Sequence, residues 1–418
     1  MTNFPFGFSP TGSGGGGGDF SGIPFFAELQ RLMSSSGGPV NWELAGQMAT
    51  AGATSERAAI GNDSAAGGDV ADSLRLAELW LDDVTTLPAG TTIAEAWTRA
   101  RWVEATLAAW QTLIDPVAGR VIAAMKGALP QELTGAAGPL GDVMNQVGGL
   151  MFGMQVGQAL GALSAEVLSS TDVGLPIGPA GVGALLPENV ATFGADLGVA
   201  PAEVQLYLAL REAAYHRLFA HVPWLRGQLT AAVESYAQGI SIDTERMESA
   251  MATVDPTDPE SLQGALSSGL FEQEDTPAQR ISLARLELLL ALIEGWVDHV
   301  VNAAASAHLP GAAAMRETVR RRRATGGPAE QTFATLVGLE LRPRRLREAA
   351  ALWASLESAR GISGRDDVWA HPDLLPDSEA LDNPAAFATR SDDDVFTLRP
   401  DEIDGPLGED GPEPGTAQ

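Results

Sequence analysis

The chain has 418 residues, of which 45% are hydrophobic, with a formal net charge of −28 and no cysteine. That apolar content excludes disorder of the chain as a whole, and the negative charge argues against general nucleic-acid binding, because phosphates are repelled. Without cysteine there is neither a disulfide nor a thiolate metal site, so any metal must use Asp, Glu, backbone oxygen or one of five histidines: His216, His221, His299, His308 and His371.

Residues 1–21, with Gly14 to Gly18 unbroken, read as a disordered Gly-rich lead. They carry no basic-then-apolar signal segment, and no apolar run reaches the roughly 20 residues that cross a bilayer. The expectation is therefore a cytoplasmic protein with no membrane contact. Phe26, Leu29 and Leu32 lie at helical spacing, and Asn41 is an N-cap for a helix beginning at Trp42. Residues 61–68 read as a loop, and 70–80 and 92–114 as amphipathic helices. Trp97, Trp102 and Trp110 are read as core anchors.

Gly149, Gly153, Gly157 and Gly161 recur every four residues. On a helix they make one bare stripe, read here as a close-packing face within the fold rather than a membrane dimer face. Residues 171–177 and 182–187 are short, apolar and broken by Gly and Pro, and read as a small β-hairpin or two short strands. The stretch 206–221 is an apolar helix ended by Val222-Pro223, and 224–236 is another. Residues 255–264 read as a link, 277–301 and 348–360 as helices, and 369–376 as a docked turn. The arginines of 320–323 and 342–347 are read as internal counter-ions in an acidic chain; the other reading is an anion or nucleic-acid site. Residues 377–418, rich in Asp, Glu, Pro and Gly, read as an acidic disordered tail.

Two of these helices carry polar residues where burial is expected. The 206–221 helix holds Arg211, Glu212, Tyr215 and His216. Zinc peptidases use H-E-x-x-H on a helix, with two histidines on one face as ligands and the glutamate as general base. Arg211-Glu212-Ala213-Ala214-Tyr215 fits that frame with the base present and both ligand positions changed. The later helix holds Glu294, Asp298 and His299, and Glu294 and Asp298 share a face. A glutamate on a later helix is a third zinc ligand in one branch of zincins, with an aspartate one turn on that supports a ligand histidine.

Longer stretches match as well: 148–160, 208–225 ending in His221-Val222-Pro223-Trp224-Leu225, 293–301, Leu309-Pro310, 320–328, 336–347 and 371–376. On these the chain resembles, over residues 22–376, an actinobacterial family labelled zinc-dependent metalloprotease or hydrolase. Its sister group is associated with deazaflavin-coenzyme biosynthesis. The resemblance implies a mainly α, zincin-like multi-helix domain with a small β-hairpin and disordered termini. It also implies an edge strand ahead of the motif helix, along which a peptide can lie.

Three readings of the site stay open. In the first the enzyme is degenerate: Arg211 replaces a metal ligand and pairs with Glu294 or Asp298, Tyr215 joins them, and no zinc is bound. In the second a metal-dependent hydrolase uses Glu212 as base, with Glu294, His216 and His299 as ligands. In the third the cluster is purely structural. A protein that kept only the groove would bind a peptide or protein partner.

Overall fold

A computed structural model describes residues 38–55, 64–127, 139–238, 276–324 and 345–390. The expected lead, the first helix near 24–33, the 255–264 link and residues 325–344 lie outside the described residues. Within them the chain is mainly helical. The helices are α1 (Trp42–Ser55), α2 (Ser64–Leu81), α3 (Arg99–Gly127), α4 (Pro139–Ser164), α5 (Pro187–Gly194), α6 (Pro201–His221), α7 (Pro223–Gln238), α8 (Pro277–Ser306), α9 (Ala312–Ala324), α10 (Leu346–Asp366), α11 (Ser378–Asp382) and α12 (Pro384–Thr389). Two short strands, β1 (Ile93–Ala96) and β2 (Val182–Leu185), complete the described fold with two 3-10 turns at Asp367–Ala370 and Pro372–Leu374.

The glycine stripe of α4 lies against α1. A Cβ on Gly153 would stand 2.7 Å from the Asn41 carbonyl oxygen, and one on Gly157 would stand 2.7 Å from the Met48 Cβ and 2.8 Å from the Ala45 carbonyl. Gly161 meets Gly52 of α1 in the same way. Asn41 fixes the register: its Oδ1 accepts from the Leu44 N–H at 3.0 Å, and its own N–H donates to the Gly149 carbonyl at 2.9 Å.

Two helices form the centre. On α6 every residue from Tyr207 to Leu218 is buried. On α8, which opens with a Thr276/Gln279 capping box, the run Leu289–Asp298 is buried. By length and composition α8 could cross a membrane, but most of it is buried inside the fold. Trp102, Trp110, Trp296, Trp353 and Trp369 are fully enclosed. Two of these indoles are tied between elements: Trp353 Nε1 donates to the Leu292 carbonyl at 2.9 Å, and Trp296 Nε1 to Asp366 Oδ1 at 3.0 Å.

Three expectations need correction. The strands do not form a hairpin: β1 and β2 pair in parallel, with Ile93 opposite Val182 and Ala96 opposite Leu185. Residues 171–177 are turns, because Pro176, Pro179 and the left-handed Gly174 (φ 77°) interrupt extended backbone. The stretch 92–98 is not helical either; α3 starts after Thr98, whose Oγ1 accepts from the Arg101 N–H at 3.1 Å. Finally, order does not end at residue 376. Asp377 caps the Ala380 N–H at 2.8 Å and Asn383 the Ala386 N–H at 3.4 Å, and the α11 and α12 helices bury Leu381 and Ala388. Only 391–418 of the acidic tail lie outside the described residues.

The glycines divide into two kinds. Gly157→Ala should destabilise the fold by about 1–3 kcal/mol through overpacking, even though alanine is the better helix former. Gly68, in α2 with nothing near its Cβ position, should behave oppositely: Gly68→Ala should stabilise by about 0.5–1 kcal/mol. Urea unfolding of both variants checks the pair.

Candidate functional site

Because α6 is buried on all sides, each of its polar side chains must find a partner inside the protein. Helical geometry divides them between two neighbours. Arg211 and Tyr215, four apart, share one face; Glu212 and His216 share another, rotated by about 100°.

The first face meets Glu294 of α8, which is 2% exposed. Arg211 Nη2 donates to Glu294 Oε2 at 2.9 Å, the Tyr215 hydroxyl donates to Oε1, and Arg323 of α9 reaches Oε1 at 2.8 Å. Burial would raise the Glu294 pKa, but Arg323, then Arg211, then the Tyr215 hydrogen bond hold it below the usual carboxylate range. Burial, with the Glu294 charge behind it, pushes Tyr215 well above its ordinary value, so it stays a neutral donor. The loop after α4 closes this cluster. Arg323 donates to the Asp172 carbonyl, Arg322 Nη1 lies 2.9 Å from Asp172 Oδ2, and the Cβ position of Gly174 lies within van der Waals contact of Glu294 Oε1, at 3.5 Å.

The second face meets the same loop and β2. Glu212, fully buried, accepts from the Ser170 hydroxyl, the Thr171 hydroxyl (2.5 Å), the Thr171 N–H (3.2 Å) and the Ala184 N–H (3.0 Å). His216 Nε2 lies 3.2 Å from Glu212 Oε1 and 3.3 Å from Ser170 Oγ. Burial would raise Glu212, but the contact with His216 and the two hydroxyl donors lower it.

The remaining site candidates lie elsewhere. Asp298 does not join Arg211; it is held by Arg316 and Arg320 of α9, at 2.6 and 2.7 Å. α9 turns its arginines toward the segment of α8 it packs on, while Arg211 is already engaged by Glu294. His299 points away from both clusters and pairs with Glu357 of α10 at 2.6 Å, one residue further round α8. Glu294 therefore sits with neither His216 nor His299. Sequence reading missed Ser170, Thr171, Asp172 and Arg323 as members of these clusters. The only advance signals were the polar run Ser169-Ser170-Thr171-Asp172 before a Gly/Pro-rich loop and the four-arginine run at 320–323. Of that run, Arg320 (with Arg316) serves the buried Asp298, Arg323 the buried Glu294 and Arg322 the part-buried Asp172, while Arg321 pairs with the exposed Glu317.

A family model described as zincin-like metallopeptidase matches residues 40–388. Among solved structures, the fold is similar to the crystal structure of a candidate hydrolase with a novel fold from Chloroflexus aurantiacus. The TM-score is 0.59 at 21% sequence identity, over 84% of this chain and 97% of that chain. A comparison with curated proteins finds no match.

A zinc ion needs three or four N, O or S donors at about 2.0–2.3 Å. The donor chemistry here does not fit it. Both oxygens of Glu294 are taken by two guanidinium groups and a phenol, and the oxygens of Glu212 are filled by five contacts from four residues. Among the described residues no group of three or more His, Asp or Glu side chains is placed to hold a metal ion.

Two outcomes are expected. Glu294→Gln leaves Arg211 and Arg323 buried with no anion between them and should lower unfolding free energy by about 3–5 kcal/mol. Arg211→Met should cost less, since Arg323 and Tyr215 still hold the carboxylate; urea titration compares the two. The second outcome concerns pH. Glu212, Glu294, Asp172, Asp298 and Asp366 all have lowered pKa values in the fold. Their contribution is complete above the unfolded carboxylate range of about 4 and is lost as pH falls through the lower folded values. Thermal melts should show little carboxylate-linked change between pH 7 and 5 and a steep fall below about pH 4.

Proposed function

The chain belongs to the zincin-like metallopeptidase family, and from that premise we propose that it has exchanged the metal for a fixed arginine cluster. On this reading it acts as a binding or scaffold protein for a peptide or protein partner in the cytoplasm, and not as a metal-dependent peptidase. The observation that carries the reading is the charge arrangement at Glu294. Arg211 occupies the first ligand position of the H-E-x-x-H frame and Tyr215 the second, and both bind Glu294, the carboxylate that stands for the third ligand. Arg323 adds a second cation from α9.

Chemistry supports the substitution. A buried carboxylate needs compensating positive charge and filled lone pairs, and a divalent ion or a pair of guanidinium groups each supplies them. With guanidinium charge in place, a cation entering the same space would meet repulsion on the order of several kcal/mol at the screening typical of proteins. Glu212, which the frame casts as general base, has its lone pairs occupied by Ser170, Thr171, Ala184 and His216. A base so engaged has no free oxygen with which to take a proton from water.

Protein purified without chelator should contain well under one equivalent of zinc by elemental analysis, and its melting temperature should not change with EDTA. One equivalent of tightly held zinc, together with a clear loss of stability on chelation, overturns the reading.

A further inference from the structure

The Glu212 hub has a consequence on its outer side. The loop that donates to Glu212 forms one wall of a cavity of about 50 Å³, and α6 with the first turn of α7 forms the other. Thr171, Pro176, Gly181, His216, Phe219 and Arg226 are among the lining residues. We infer that this cavity binds a carboxylate group of a peptide, with Arg226 as its cationic anchor and His216 as a second polar contact. The inference deepens the binding-protein reading and rests on it for the choice of a peptide as ligand.

Charge is the first argument. The chain as a whole is strongly acidic, yet the lining of this cavity contains an arginine and a histidine and no Asp or Glu. Glu212, which the lining residues Thr171 and His216 contact, is already saturated. Arg226 makes no ion pair with any described residue, whereas Arg211, Arg217, Arg316, Arg320 and Arg365 all hold carboxylates. Arg226 is an exposed residue at the cavity mouth, and the partial burial of its head lowers its pKa. A partly desolvated guanidinium at the rim of a cavity without acids lacks the partner that its planar fork of N–H donors best fits, a carboxylate.

Shape is the second argument. The cavity has room for a few water molecules. That is room for a carboxylate group. The walls are already in place. Thr171 is tied to Glu212 by both its N–H and its hydroxyl, Gly181 holds a left-handed turn (φ 74°), and His216 has Nε2 engaged by Glu212 and Ser170. Because both contacts of His216 run through Nε2, the other ring nitrogen is left for a ligand. Phe219 and Ala220 give the apolar side on which the chain of a peptide can rest.

Calorimetric titration of the full chain tests this with four probes: N-acetyl-trialanine, its C-terminal amide, N-acetyl-Ala-Glu-Ala amide and inorganic phosphate. Binding of the first identifies a chain-terminal carboxylate, binding of the third a side-chain carboxylate, and either supports the inference. The trialanine amide should not bind. Arg226→Ala should weaken the acid probe at least tenfold with an unchanged melting temperature, since the side chain supports no described contact, and Arg226→Lys should fall between. The inference is overturned if neither acid binds, if Arg226→Ala binds as tightly as the parent, or if phosphate outcompetes both acids. Metal content is read separately. A zinc-loaded protein that still binds acid through Arg226 would discard the metal-free reading and keep this site; a metal-free protein that binds no acid would do the reverse.

Discussion

A carboxylate on a helix with no access to water sets the terms for the centre of this protein. Glu294 lies in a run of α8 buried on all sides, so its charge must be balanced by the protein. Arg211 from α6, Arg323 from α9 and the Tyr215 hydroxyl balance it. Three helices are thereby held at one point. Because Arg322 and Arg323 also bind Asp172, the loop between α4 and β2 is held there too. Pairing of this kind adds little net stability over an apolar core, but breaking one side of it is costly. Its effect is to admit a single arrangement of these elements.

Glu212 solves the same problem differently. It has no arginine; four hydrogen bonds from Ser170, Thr171 and Ala184, with His216 beside them, satisfy it. Those donors lie on the loop and on the outer edge of β2, so the helix and the small parallel sheet are joined through one side chain. The division of α6 into two faces explains why the metal-ligand set proposed from sequence does not assemble. Glu212 and His216 look toward the loop, Arg211 and Tyr215 look toward Glu294, and His299 looks toward α10. One turn of helix separates residues that a linear motif places side by side.

For function, the two clusters have unlike consequences. The Glu294 cluster is closed, with both carboxylate oxygens and both neighbouring cations engaged with each other. The Glu212 cluster is closed on its inner side but shapes a cavity on its outer side, where His216 and Arg226 lie.

Much of this was legible in the sequence because it depends on local spacing. The helix ended by Val222-Pro223, the glycine stripe that needed a close neighbour, the buried tryptophans and the Asn41 cap follow from periodicity and backbone chemistry. The sequence offered Arg211 a partner in either Glu294 or Asp298, as one of three readings; the fold joins it to Glu294. Tertiary structure decided which arginine serves which acid, because the five arginines of α9 lie within reach of several carboxylates and only packing selects among them. It paired β1 with β2 in parallel across a separation of 89 residues between Ile93 and Val182, which no turn signal announces. It also carried the ordered chain through two short capped helices that acidic composition had concealed.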